Sequence, residues 1–371
     1  MVSIDVLRGL TVAFMILVNT AGDGSASYAQ LRHSVWNGCT LTDLVFPTFL
    51  FLMGVSMAFS QSSASRATVS TVTRFAKAAR RSAVLILIGL FLNALPYFSL
   101  GTMRYCGVMQ RIGLTYFLAA LLLLVTETPG LIAVCALLLA GYWALMTLVP
   151  VPGYGKTGLE LGILDPAGNL ASAMDRLAIP KEHLYRHGFY DPEGLLSTLP
   201  ALASVLLGVL AGRMLRRTEL ASRLILIAVC GVTMAAVGLA WNMAFPINKR
   251  MWTSSYVLWV AGIDFLLLAL LSWYLDRPER NTGGDQRRLL TPWLAFGSNA
   301  LAAYVLSEVL TAVIGNVHVN AGVTLQRWTY QLLPAWLGSP SLRSLEWSIA
   351  FTAVCYLPIY LLYRRRILIK L

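Results

Sequence analysis

The sequence predicts an all-α protein, a polytopic transmembrane helical bundle of about ten spans with an ordered external loop. Three observations carry this. Hydrophobic residues fill 57% of the 371 positions and charged residues only 12%, with a mean hydropathy of +0.67. A soluble domain carries about twice that charge. The apolar residues are gathered into runs of roughly 16 to 24, the length that crosses a hydrocarbon core of about 30 Å as a helix. Such runs are too long for the tilted strands of a membrane barrel, and in lipid a helix satisfies its own backbone hydrogen bonds.

In chain order the predicted spans are residues 4–21, 43–61, 82–98, 110–125, 131–149, 195–212, 224–245, 252–274, 292–315 and 347–363. The first opens with Asp5 and Arg8, and no small-x-small site follows Leu17-Val18, so it reads as an uncleaved anchor. Residues 66–81 (RATVSTVTRFAKAARR) read as a basic interfacial helix that feeds the third span and faces the headgroups. The connection 150–194 is the longest. Loops beyond about 15 residues in a compact domain are usually functional or disordered. This one holds Tyr154, Leu170, Leu184, Tyr185, Phe189 and Tyr190, enough apolar and aromatic mass to fold as a lid. No internal repeat or low-complexity tract stands out, and the chain reads as a single transmembrane domain.

A net charge of +12 raises the question of nucleic acid, but basic residues in a membrane protein gather on the cytoplasmic side for reasons of insertion. Here they are densest at 66–81, 213–223, 277–288 and 364–370, all on one side of an even span count. That side is read as cytoplasmic, with both termini on it, and no nucleic-acid partner is expected. Of the five cysteines, Cys135, Cys230 and Cys355 lie in apolar runs as small buried thiols. Cys39 and Cys106 fall in loops on the opposite side, where spacing alone leaves a disulfide open. No CxxC or Cys/His metal spacing occurs, so no metal is expected.

Ionisable groups at membrane depth are functional candidates by default. The first span ends Val18-Asn19-Thr20 and the second opens Thr42-Asp43, with Leu31-Arg32-His33-Ser34-Val35-Trp36-Asn37-Gly38 in the loop between. Asn19, His33 and Asp43 can therefore converge at one membrane face. A histidine with a carboxylate partner is the usual general-base arrangement, because the acid fixes the imidazole tautomer. Two plainer readings stay open: His33 as a surface residue and Asp43 as a helix cap. Asp264 and Glu308 read equally as bonds between helices or as parts of a site.

Several motifs resemble, in order and spacing, the heparan-α-glucosaminide N-acetyltransferase family. They are Ser3-Ile4-Asp5-Val6-Leu7-Arg8-Gly9, Leu17-Val18-Asn19, His33-Ser34-Val35-Trp36-Asn37-Gly38-Cys39-Thr40 and Asp43-Leu44-Val45-Phe46-Pro47. Further along come Gly107-Val108-Met109-Gln110-Arg111-Ile112-Gly113, Tyr190-Asp191-Pro192-Glu193-Gly194, Asn248-Lys249 with Trp252-Thr253-Ser254-Ser255-Tyr256, and Gly297-Ser298-Asn299-Ala300 with Tyr304.

The resemblance implies a transmembrane acetyltransferase that takes acetyl from cytoplasmic acetyl-CoA and passes it to the amine of a glucosamine-type sugar on the opposite face. The family's catalytic histidine falls on His33, with Asp43 and Asn19 beside it. Substrate-binding candidates are Trp36, Asn37, Gln110, Arg111, Glu193, Asn248 and Lys249. Trp36 is alternatively an interfacial anchor, and Glu193 with Arg111 alternatively a structural ion pair. Arg8, Arg80 and Arg81 are the candidates for the phosphates of acetyl-CoA. The sequence lacks the N-terminal soluble region and first span of the lysosomal members, as bacterial relatives do. The expectation is thus a bacterial inner-membrane protein surrounded by lipid, acting on a small amino sugar or wall-derived saccharide, with a homodimer left open. Two rivals remain: an O-acyltransferase of surface polysaccharide, and a sugar transporter, against which the absence of repeats speaks.

Overall fold

A computed structural model describes residues 1–60, 70–216, 220–277, 284–320, 322–334 and 338–369. The helices are α1 (Val2–Asn19), α2 (Leu41–Ser60), α3 (Thr71–Ala94), α4 (Val108–Val125), α5 (Thr128–Leu148), α6 (Gly158–Leu161), α7 (Leu170–Ala178), α8 (Thr198–Leu215), α9 (Leu220–Trp241), α10 (Ser254–Leu275), α11 (Gly284–Ser298), α12 (Ala300–Asn316), α13 (Leu325–Gln331) and α14 (Pro340–Arg364). A two-stranded ribbon, β1 (His318–Asn320) with β2 (Val323–Thr324), precedes α13. The fold is all-α, and its long apolar helices make it a multi-pass membrane protein.

Among the described residues eight single helices are long and apolar enough to cross a bilayer, fewer than the ten spans predicted. Two predicted spans account for the difference. The third is the second half of α3, whose basic first half, with Arg74, Lys77, Arg80 and Arg81, leaves the helix as a whole short of a continuous apolar length. Its start is set by Ser70, whose hydroxyl accepts from the Thr73 N–H at 3.2 Å. The expected interfacial helix is thus continuous with the third span from Thr71 on, and its first residues, 66–69, lie outside the described residues. The predicted ninth span is broken: α11 and α12 meet at 78°. The cause is Asn299, which leaves helical geometry and turns its side-chain amide to the Ile367 carbonyl and the Ile369 N–H.

Close packing in the bundle is made by glycine, as expected where lipid provides no hydrophobic drive between helices. A Cβ on Gly54 of α2 would lie 2.0 Å from the Val205 carbonyl oxygen of α8, and one on Gly208 would lie 2.0 Å from that of Phe51. Gly9 and Gly297 bring α1 and α11 together in the same way. α8 is enclosed on all sides, with 83% of its apolar window buried, whereas α9 has only 17% buried and faces outward. The connection 150–194 is folded: Thr157 and Glu160 form a capping box at α6, and Asn169 caps α7. All five cysteines are free thiols, so Cys39 and Cys106 are not joined.

Candidate active site

The loop between α1 and α2 is held against the turn 246–253. Gly38, at a φ of +102° that favours glycine, donates its N–H to the Ile247 carbonyl at 2.7 Å, and Asn248 Nδ2 donates to Asn37 Oδ1 at 3.0 Å. This anchorage presents His33 to Asp43. His33 Nδ1 lies 2.7 Å from Asp43 Oδ1, while Oδ2 accepts from the backbone N–H groups of Ser34 and Thr40 and from the Thr40 hydroxyl, each at 3.0 Å. Asp43 is wholly buried, and the Tyr256 hydroxyl donates to its backbone carbonyl. A carboxylate with so many donors fixes the imidazole with Nδ1–H toward it, which leaves Nε2 as the ring's acceptor. Asp43 also sits in the first turn of α2, so the cap reading and the orienting reading coexist.

Nδ1 and Nε2 of His33 lie 3.1 and 3.3 Å from Lys249 Nζ, which is itself 3.8 Å from Asp43 Oδ1. Burial pushes the Lys249 ammonium below its ordinary range, against the opposing pull of Glu193 and Asp43. Across the cavity, Arg104 binds both Asp191 and Glu193. Burial alone would lower Arg104, but the two carboxylates hold its guanidinium well above the usual arginine range. Burial alone would raise Glu193, yet Arg104, Arg111 and Lys249 bring it below the usual carboxylate range. The ion pair considered between Glu193 and Arg111 does not form. Arg111 instead donates to the Gly194 carbonyl and the Ser197 hydroxyl and lies over the Trp252 ring, 5.1 Å from its centre.

These groups line a cavity of about 280 Å³ that contains His33, Asp43, Asn19, Glu193 and Lys249. The other predicted residues lie outside it. Trp36 donates to the Leu164 carbonyl at 2.7 Å and packs edge-on against Tyr190, fastening the 150–194 segment to the histidine loop. Asn37 and Asn248 hold each other, and Asn248 also closes its own turn by accepting from the Met251 N–H. Among the described residues the buried Gln110 amide has no hydrogen-bond partner, and it lies close to Gly89 and Gly107. Sequence reasoning missed Asn93, Arg104, Tyr185 and Arg250 as lining groups, while Glu308, left open as a bond between helices or part of a site, also lines the cavity. Arg104 lies just before the Gly107–Gly113 motif, and Glu308 lies one helical turn beyond Tyr304, which also lines the cavity, so motif proximity was the available signal. Burial pushes the Cys39 thiol up to about 12, so it offers no thiolate beside the site.

A second cavity, of about 450 Å³, is lined by Arg8 and Arg81 with Ser56, Tyr116 and a mainly apolar wall. Arg8 is held by Asp5, Ser56 and the Gly297 carbonyl, and Arg81 lies over the Tyr116 ring. Arg80 is exposed and lines neither cavity. The two cavities are stacked along the same helices: α1 gives Arg8 to one and Asn19 to the other, about 16 Å apart along its axis at 1.5 Å per residue. Neighbouring side chains of α2, α4 and α12 line the two, with Phe46, Val108 and Tyr304 on the histidine side and Phe49, Met109 and Leu301 on the arginine side. Ile369 lines the arginine cavity with Arg8 of the second turn of α1, so both ends of the described chain lie toward that end.

Comparison with known proteins finds one family and two relatives. The family described as heparan-alpha-glucosaminide N-acetyltransferase, catalytic, matches residues 1–235. The heparan-alpha-glucosaminide N-acetyltransferase of Homo sapiens is 32% identical over 359 residues, covering 83% of this chain and 52% of the human protein. That of Mus musculus is 32% identical over 358 residues, covering 83% of this chain and 53% of the mouse protein. The chain thus spans about half the length of the curated relatives it matches. On the family match and the extent of this identity, the chain belongs to the heparan-alpha-glucosaminide N-acetyltransferase family.

Proposed function

We propose that this chain is a transmembrane N-acetyltransferase that moves acetyl from acetyl-CoA in the arginine cavity to the amine of a glucosamine-type sugar in the histidine cavity. The observation that carries the reading is the stacking of a His–Asp dyad above an arginine-lined cavity on shared helices. Acetyl-CoA supplies the activated acyl carbon, and the arginine cavity suits it: Arg8 and Arg81 offer charge-assisted donors to phosphates, and the apolar wall suits a thin pantetheine arm. The side chains between the cavities would have to move aside for the thioester to reach His33.

In the histidine cavity, Nε2 of His33 takes a proton from the sugar amine as its nitrogen attacks, and the imidazolium then returns that proton to the departing thiol. Asp43 holds the ring through Nδ1 throughout. Asn19, which lines the same cavity, donates to the oxygen on which charge develops. Residues 150–194 form the lid of this single domain, latched by Arg104 on Asp191 and Glu193. Basic residues at the arginine end support a cytoplasmic position for that end and for both termini, in a protein of a bacterial inner membrane.

The test is binding of acetyl-CoA to the purified chain followed by transfer to glucosamine, glucose and N-acetylglucosamine. Acetylation of glucosamine alone supports the reading. Acetylation of neutral sugars would make it an O-acyltransferase, and sugar binding without transfer would make it a transporter.

A further inference from the structure

We propose that Glu308 determines acceptor specificity by receiving the sugar's ammonium in the histidine cavity; this rests on the reading of that cavity as the acceptor site. Glu308 lies on α12, one turn beyond Tyr304, and both side chains line the cavity with His33 and Asn19. The other charged groups there have partners. Asp43 accepts from His33, Ser34 and Thr40; Glu193 and Asp191 are met by Arg104; Lys249 approaches Asp43; Arg250 donates to the Tyr190 hydroxyl at 2.7 Å. Among the described residues no hydrogen bond or ion pair reaches the Glu308 carboxylate.

A carboxylate at membrane depth persists where a counter-charge or a function compensates its desolvation. Among the described residues none supplies Glu308 with a cation, but the acceptor does. A glucosamine amine is protonated in neutral water, and its ammonium fits the cavity as the missing counter-charge. Acetylation converts that cation into a neutral amide. The ion pair with Glu308 is then lost, so the same carboxylate that selects the substrate over a neutral sugar also favours release of the product. Before attack the ammonium releases one proton to solvent; His33 then takes the second proton from the attacking amine and passes it to the departing thiol.

The experiment measures binding of glucosamine, glucose and N-acetylglucosamine to the full chain without acetyl-CoA, for wild type, Glu308→Gln and Glu308→Asp. Acetyl-CoA binding reports folding. Wild type should prefer glucosamine over glucose by about 10- to 100-fold, the range of a charge-assisted contact. Glu308→Gln should reduce that ratio to near one by weakening glucosamine only, and Glu308→Asp should keep part of it. A Glu308→Gln protein that keeps the preference, or that loses affinity for all three sugars alike, overturns the inference while acetylation of glucosamine by wild type leaves the acetyltransferase reading standing. If Glu308→Gln does not fold, wild type decides alone: equal affinity for glucosamine and glucose overturns the inference. Absence of both binding and acetylation of glucosamine by wild type overturns the reading and the inference together.

Discussion

The histidine cavity and the arginine cavity share helical walls but are built by different means. The first is assembled where loops meet: the α1–α2 loop brings His33, the α3–α4 loop Arg104, the folded connection 150–194 Glu193, and the turn before α10 Lys249. The second is made almost wholly of helix faces, closed by Gly297, Ser298 and Ile369 at the chain's broken span and tail. Loops concentrate charge and can be latched or opened; helix faces give a fixed apolar channel with a few cations at its rim. The contrast fits a division of labour between chemistry and cofactor binding.

The largest effect should come from His33→Ala, which is expected to lower acetyl transfer by about 10²- to 10⁴-fold while leaving acetyl-CoA affinity unchanged. Steady-state kinetics with a separate binding titration measures both. An equal loss in the two would show that the cavities do not divide the work. Asp43→Asn should also impair turnover, since an amide can cap α2 but misdirects the ring tautomer.

Arg104→Ala attacks the loop-built side through stability. It leaves Glu193 and Asp191 buried without their cation, at a cost of about 3–5 kcal/mol. Thermal melting and limited proteolysis within 150–194 should both register it. An unchanged melting temperature would mean that Arg104 is not the latch.

Arg81→Gln sharpens the other half of the comparison, because Arg81 lines the arginine cavity without the structural bonds that Arg8 makes. Acetyl-CoA affinity should fall by about 3- to 10-fold, with the KM for glucosamine unaltered. A rise in the sugar KM instead would contradict the assignment.

The smallest effect is a pH dependence of the folded segment 150–194. Asp175 accepts from the Leu195 N–H at 2.9 Å and the Asp191 N–H at 3.3 Å, and burial pushes its carboxyl up to about 6 from 3.8. Folding thus favours the protonated form. This contribution is fully present below the unfolded value and is lost as pH rises through about 6. Asp175→Asn keeps an acceptor and removes the charge, so the fall in the segment's stability between roughly pH 5 and pH 7 should flatten. Proteolysis rates across that interval measure it.

The helices were legible because lipid forces long apolar runs, and the convergence of Asn19, His33 and Asp43 followed from two neighbouring predicted spans joined on one side. Glu193 and Lys249 came from motif resemblance, since their approach depends on long-range folding. What sequence could not give was the sorting of motif residues into those that face the cavity and those that hold it in place. Trp36, Asn37 and Asn248 bond one loop to another, and Arg111 is buried against the Gly194 carbonyl. The break at Asn299 was hidden because its cause is a hydrogen bond to a tail almost 70 residues away. An apolar count reads 292–315 as one straight span for that reason.

The central claim is that donor and acceptor enter from opposite ends of the bundle. Purified chain reconstituted in sealed vesicles, with orientation scored by protease access to the C-terminus, tests it directly. The account predicts that N-acetylglucosamine forms when acetyl-CoA is on the side of the termini and glucosamine on the other, and that reversing the two abolishes transfer. Transfer only when both are supplied to the same side would contradict it.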